Sequence, residues 1–125
     1  MARVFSGIQP TGELHLGNLL GAVLNWVRNP DNDTAIYCVV DLHALTVPKD
    51  PEELRPKTIE LTQLLIACGL DPQRCTLFLQ SHVSAHSELA WLMQCTVSYG
   101  ELTRMTQFKD KRDRAEFVSA GLFTY

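Results

Sequence analysis

Thr34-Ala35-Ile36-Tyr37-Cys38-Val39-Val40, followed at once by Asp41-Leu42-His43, decides the fold. A continuous apolar and β-branched run with no polar alternation reads as a strand buried on both faces, the kind found inside a parallel sheet. Parallel neighbours need long crossovers, usually helical, and the chain supplies one on each side. Upstream, Arg3-Val4-Phe5-Ser6 is a short β-like run ending at Gly7, and Gln9-Pro10-Thr11-Gly12 is a tight turn. Leu16, Leu19, Leu20, Val23, Leu24 and Val27 then predict a helix with one buried face, stopping near Asn29-Pro30-Asp31-Asn32-Asp33.

Downstream, Asp50 reads as a helix N-cap with Pro51 at the first helical position, Glu52 and Glu53 at the positive end, and Gly69 as the terminator. The stripe of this helix is Leu54, Leu61, Leu64, Leu65 and Cys68; Pro56 removes an intrahelical donor, which predicts a kink or a late start to the regular part. Asp71-Pro72 turns into a third strand at Cys75–Leu79, and Ser84 is positioned to cap a helix carrying Leu89, Leu92, Met93 and Thr96. A more polar segment, Glu101–Lys111, follows. Strands at about 3–6, 34–40 and 75–79 alternating with helices give an α/β class: a three-layer Rossmann-like sandwich, the first half of a doubly wound parallel sheet. Three such strands leave an edge exposed and the last residues, Phe117–Tyr125, are apolar, so the 125 residues are expected to be one partial domain with more chain after it.

Bulk properties narrow the function. A formal charge of −3, from 14 acids against 11 bases, argues against a general nucleic-acid or anionic-membrane surface. No apolar run approaches the roughly 20 residues that span a bilayer, and Arg3, Gln9, Glu13 and His15 interrupt any signal core, so a soluble, cytoplasmic protein is expected. Cys38, Cys68, Cys75 and Cys95 sit singly in apolar segments and read as buried thiols of a reducing compartment, with no metal site expected.

In open α/β sheets the loop after the first strand is the usual phosphate cradle. Here that loop is Gly7–Gly17, and it carries neither of the common phosphate motifs: Asn18 stands where a P-loop lysine must be, and no G-x-G-x-x-G occurs. What remains is Thr11-Gly12-Glu13-Leu14-His15-Leu16-Gly17-Asn18, a small-residue turn opening a helix. Main-chain N–H groups and the positive helix end favour an anion, His15 and Asn18 can each donate to it, and Gly17 permits close approach. The same glycines would also suit a plain βα turn. His43, after a buried strand, reads first as a core histidine with a satisfied hydrogen bond, and its place at a strand's C-terminal end tilts that reading back toward a site residue. His82 and His86 do not share a helical face if the helix begins near Ser84, and no third metal ligand accompanies them.

Thr11–Asn18 resembles the first signature of the class I aminoacyl-tRNA synthetases, with Asn18 in place of the second histidine. Together with Phe5–Gly12, Val40–Thr46 and Gly100–Lys111, in that order and spacing, the chain is similar to the bacterial-type tryptophanyl-tRNA synthetases from Arg3 to Tyr125. The resemblance implies that Gln9, Pro10, Thr11, Gly17 and Asn18 surround ATP, that His15 faces the phosphates, and that Lys111 reaches them from a loop. It implies that Phe5, Gly7, His43 and Tyr125 line a tryptophan pocket. The implied reaction joins tryptophan to AMP from Mg-ATP, releasing pyrophosphate, and then transfers it to tRNA(Trp) in a homodimeric enzyme. The family's Lys-Met-Ser-Lys-Ser loop, later strands and anticodon-binding domain are absent from these 125 residues.

Two other functions share parts of the pattern. A nucleotidyltransferase uses the same strand, loop and helix logic but usually keeps the second histidine that Asn18 replaces. A non-catalytic nucleotide- or RNA-binding module would need only the loop. Arg104, Lys109, Lys111, Arg112 and Arg114 form a basic cluster that without the resemblance reads as a solvated face. Trp26, Trp91, Leu89, Leu92 and Met93 read as helix packing, some of it available to a partner subunit.

Overall fold

The computed structural model describes residues 3–29, 34–106 and 118–124. The breaker Pro30–Asp33 and most of the basic cluster, from Lys109 on, lie outside them. β1 (Phe5–Ile8), β2 (Ile36–Val39) and β3 (Thr76–Leu79) form a parallel sheet in the order β1-β2-β3. Phe5 pairs with Ile36 and Ile36 with Thr76, and the register runs unslipped to Ile8, Val39 and Leu79. Paired residues of parallel strands share a face, so Ile8, Tyr37, Val39, Leu77 and Leu79 look one way and Phe5, Gly7, Cys38 and Phe78 the other. β1 begins and ends two residues later than expected at 3–6, because Gly7 and Ile8 still have partners in Cys38 and Val39.

The first helix is built in three pieces: α1 (Leu16–Asn18), a π-helical stretch (Leu19–Val23) and α2 (Leu24–Val27). Its expected face is buried in part, with Val23 in the core and Leu19 and Val27 packed against it. Leu16 and Leu20 are exposed, while Val23 and Trp26 are buried and Leu19 and Ala22 pack beside them. The aromatic contact explains why the face centres near Trp26. Trp26 stacks on Tyr37 with ring centroids 4.8 Å apart, and the buried Tyr37 hydroxyl donates to the Trp26 carbonyl at 3.3 Å and accepts from Asn29 Nδ2 at 3.3 Å. A buried phenol needs such partners, and the indole brings far more apolar surface than Leu16 or Leu20 would.

After β2 comes a short helix not foreseen from sequence, α3 (Asp41–Ala44), then α4 (Pro51–Ala67). Asp50 caps α4 by accepting from Glu52 N at 2.9 Å. The helix starts at Pro51 and runs unbroken through Pro56, contrary to the expected late start, because Pro56 is exposed and water can serve the carbonyl it leaves without a donor. Thr58, Leu61 and Leu65 are buried; the Thr58 hydroxyl is satisfied within the stripe by donating to the Leu54 carbonyl at 2.8 Å. Leu70 N–H to Leu65 O and Gly69 N–H to Ile66 O close the helix in a Schellman motif, with Leu70 itself buried. Val23, Trp26, Tyr37, Val39, Leu61, Leu65 and Leu70 thus form one core between α1–α2 and α4 and one face of the sheet.

Beyond β3 a 3-10 turn (Gln80–His82) leads to α5 (Ser84–Thr96). The chain stays extended through Val83, which becomes the N-cap, so Ser84 is the first helical residue and not the expected cap. On the second sheet face Phe78 meets His86 of α5 edge-on, centroids 5.6 Å apart. The rest of α5 is open: Leu89, Trp91, Leu92 and Met93 are each more than half exposed, and Cys95 is exposed where a buried thiol was expected. No further layer covers this helix among the described residues. α6 (Tyr99–Leu102) starts with a Ser98–Glu101 capping box, and α7 (Ala120–Thr124) is tied back by Ser119 Oγ donating to the Thr46 carbonyl at 2.6 Å. Among the described residues no helix is long and apolar enough to cross a membrane.

Candidate functional site

The loop from Gln9 to Asn18 leaves β1 at its C-terminal end and enters α1. Pro10 is buried, and Thr11 Oγ1 lies 3.3 Å from Gln9 Oε1 as its donor. Gly12 has φ +82°, the left-handed region that a side chain resists, and an added Cβ would meet nothing within 4 Å; the backbone angle alone asks for glycine. Leu14 turns inward and packs against the core beside Leu61 and Leu64 of α4. Its anchoring role was not foreseen; the signal was one apolar side chain inside an otherwise polar loop.

His15 and Asn18 lock each other. His15 Nδ1 accepts from Asn18 N at 3.3 Å, and Asn18 Oδ1 accepts from His15 N at 3.1 Å, a reciprocal capping box in which histidine takes the place usually held by Ser or Thr. The pairing has a chemical consequence. With Nδ1 used as an acceptor, the neutral imidazole carries its proton on Nε2, and with Oδ1 occupied, the Asn18 NH₂ is the group left to donate. Two side-chain donors are therefore oriented by main-chain bonds, next to the Leu16 and Gly17 N–H groups that no helix carbonyl can reach. The amides of residues 15 and 18 are spent on the cap, so the cradle of main-chain donors is narrower than the sequence suggested.

Gly17 answers a local steric demand. A Cβ there would lie 3.0 Å from both Cε1 and Nδ1 of His15, so glycine leaves room for the ring to fold over the first turn.

The residues linked to the tryptophan pocket fall in a second group. Phe5, 60% exposed, and Gly7 share the sheet face that α1, α2 and α4 leave uncovered, beside Cys38. A Cβ on Gly7 would sit 2.9 Å from Val40 Cγ1 and 3.1 Å from the Cys38 carbonyl, so only glycine fits. Burial and, secondarily, the Asp41 carboxylate push the Cys38 thiol up to about 11, which keeps it protonated and inert on that face. His43 stands half-buried in α3, just past the end of β2, its carbonyl accepting Thr46 N–H at 3.2 Å and Thr46 Oγ1 at 2.9 Å. Since Ser119 binds the Thr46 carbonyl, the start of α7 lies beside the loop that follows His43. Lys111 and Tyr125 lie outside the described residues.

Asp41, also missed at the sequence level, clasps the two strand ends: its Oδ1 accepts Ser81 N at 2.9 Å and its Oδ2 accepts the Ser81 hydroxyl. Among the described residues no group of three or more His, Cys, Asp or Glu side chains is placed to hold a metal ion.

All residues 1–125 match the family described as tRNA synthetases class I (W and Y). The tryptophan–tRNA ligase of Caldanaerobacter subterraneus subsp. tengcongensis is 62% identical over 125 residues, covering 100% of this chain and 38% of that protein. The crystal structure of tryptophanyl-tRNA synthetase from Mycoplasma pneumoniae superposes with a TM-score of 0.90 at 42% identity, over 100% of this chain and 37% of its own. That from Campylobacter jejuni, complexed with ADP and tryptophan, gives 0.92 at 33% identity, over 99% of this chain and 39% of its own. The chain thus spans less than two fifths of the relatives it matches. Matched along its whole length and built on the same parallel sheet and signature loop, the chain belongs to the class I tRNA synthetases of the tryptophan and tyrosine type.

Proposed function

We propose that this chain supplies the ATP-gripping part of a tryptophan–tRNA ligase. The observation that carries the reading is the His15–Asn18 lock, which aims an imidazole N–H and a carboxamide NH₂ outward at the mouth of a helix. The Campylobacter jejuni relative, complexed with ADP and tryptophan, supports nucleotide and amino-acid binding on this fold. A tryptophan carboxylate oxygen attacks the α-phosphorus of ATP, the bond to the bridging oxygen breaks, and pyrophosphate leaves with that electron pair. No proton moves in this step, so no acid–base pair is required. The chain's work is to position the phosphates and to stabilise the charge that builds on them, through His15, Asn18 and the first helical N–H groups. Gln9, Pro10 and Thr11 flank the nucleotide, and Lys111 is assigned to the phosphates. Phe5, Gly7, His43 and Tyr125 are assigned to tryptophan.

Magnesium fits as a passenger of the nucleotide. The described residues offer no carboxylate cluster, and Mg²⁺ commonly keeps its waters and binds substrate phosphates, whose charge it offsets. Transfer to tRNA(Trp), assembly as a homodimer through the exposed side chains of α5, and a place in the cytoplasm beside translation complete the reading. The later strands, the Lys-Met-Ser-Lys-Ser loop and the anticodon-binding domain would come from further chain, with residues 1–125 forming the N-terminal portion of the catalytic domain.

Tryptophan-dependent exchange of pyrophosphate into ATP by the full-length protein tests the proposal. Exchange is expected with tryptophan and Mg-ATP and should collapse in His15→Ala. Exchange that needs a phosphorylated metabolite in place of tryptophan would identify a nucleotidyltransferase and refute it.

A further inference from the structure

A cleft of about 520 Å³ among the described residues is used by none of this chemistry. It lies at the C-terminal edge of β2 and β3, walled by the loop before α4, the first two turns of α4 and the start of the 3-10 turn. Its apolar lining is incompletely covered: Leu45 is 57% and Ile59 50% exposed, with Leu54 between them. Basic side chains Lys49, Arg55 and His82 stand on the same lining. Among the described residues neither Lys49 nor Arg55 has an ionic or hydrogen-bonded partner, and the nearby ion pair of Lys57 with Glu53 involves neither. Among the described residues the one lining carboxylate, Asp41, has both oxygens engaged by Ser81. Asp50 faces the helix end it caps.

We propose that this cleft binds an amphipathic organic anion, its apolar body over Leu45, Leu54 and Ile59 and its carboxylate or sulfonate between Lys49 and Arg55. The volume falls within the roughly 300–1,000 Å³ of small-molecule sites, which are mostly apolar with a few convergent polar groups. The charge pattern selects the ligand's sign: two cations without partners among the described residues, beside exposed apolar surface, complement an anion with an apolar tail, and an arginine fork suits a planar carboxylate. None of the signature-loop residues takes part, so occupancy is separate from ATP.

Titration of the full-length protein with anilinonaphthalene sulfonate, a fluorescent aryl sulfonate, tests this. Saturable enhancement is expected, unaffected by saturating ATP. Lys49→Gln combined with Arg55→Gln, both on exposed side chains, should weaken it about tenfold or more. Ile59→Glu should weaken it as well, and Trp91→Ala on the open face of α5 should leave it unchanged. Binding indifferent to the Lys49/Arg55 pair, binding lost in Trp91→Ala, or no saturable binding because the cleft is filled in the whole protein would each overturn the proposal.

Discussion

Replacing Gly17 by alanine separates folding from catalysis at the signature loop. The new Cβ would stand 3.0 Å from two atoms of the His15 ring, tighter than ordinary carbon contact, so the imidazole must swing away. That motion breaks the Asn18 N–H to Nδ1 bond and releases Nε2–H from its aim. Losing an N-cap bond costs about 0.5–2 kcal/mol. Alanine inside a helix regains about 0.5–1 kcal/mol over glycine, so the two nearly cancel and the melting temperature should move by only a few degrees. The catalytic loss has no such offset. A misaimed donor to a charged phosphate forfeits about 1.5–3 kcal/mol, which is roughly a 10- to 150-fold fall in kcat/KM for ATP. Pyrophosphate exchange at varied ATP, alongside a thermal melt, reads both quantities. Exchange within twofold of wild type would refute the claim that Gly17 holds the ring for its task; a large drop in melting temperature would show that the glycine is structural.

Other outcomes follow from individual contacts. Gly7→Ala should destabilise the fold by about 1–3 kcal/mol in urea melts, since the Cβ presses on Val40 Cγ1 at 2.9 Å and on a carbonyl that cannot yield. Tyr37→Phe, which removes the buried hydroxyl bound by Trp26 O and Asn29, should cost about 1–2 kcal/mol by the same assay while leaving ATP affinity unchanged. Iodoacetamide at pH 8 should label the exposed Cys95 and spare Cys38, whose thiol is raised to about 11; mass spectrometry of the peptides decides. Glu101 is held below the ordinary carboxylate range by hydrogen bonds from the Ser98 side chain and backbone. Its contribution is therefore complete above the unfolded pKa of about 4.3 and lost as pH falls through the lower folded value. The protection of the Ser98 and Glu101 amides against exchange, taken relative to the intrinsic rate at each pH, should fall only on acidification below that range.

Sequence alone determined the α/β class, the alternation of the three strands with the main helices, the caps of α4 and the turn after β1 that we propose grips ATP. Those features rest on local physics: an apolar and β-branched run such as Ile36–Val39 favours a strand, Asp50-Pro51 followed by Glu52 and Glu53 favours a helix start, and Gly12 allows a turn few residues can make. How far around the first helix the buried face extends was decided only by tertiary structure. The apolar pattern placed Leu19, Val23 and Val27 on the core but also nominated Leu16 and Leu20, which are exposed, because the stack of Trp26 on Tyr37, eleven residues away in sequence, draws the packing toward its own side. The outward donors of the site were likewise invisible in the motif. His15 and Asn18 have their remaining polar atoms aimed because each spends one atom capping the other, and Gly17 matters because the ring needs its space. The clasp of Asp41 on Ser81 joins residues forty apart, a distance no periodicity records, and it exists only because parallel pairing brings the ends of β2 and β3 side by side.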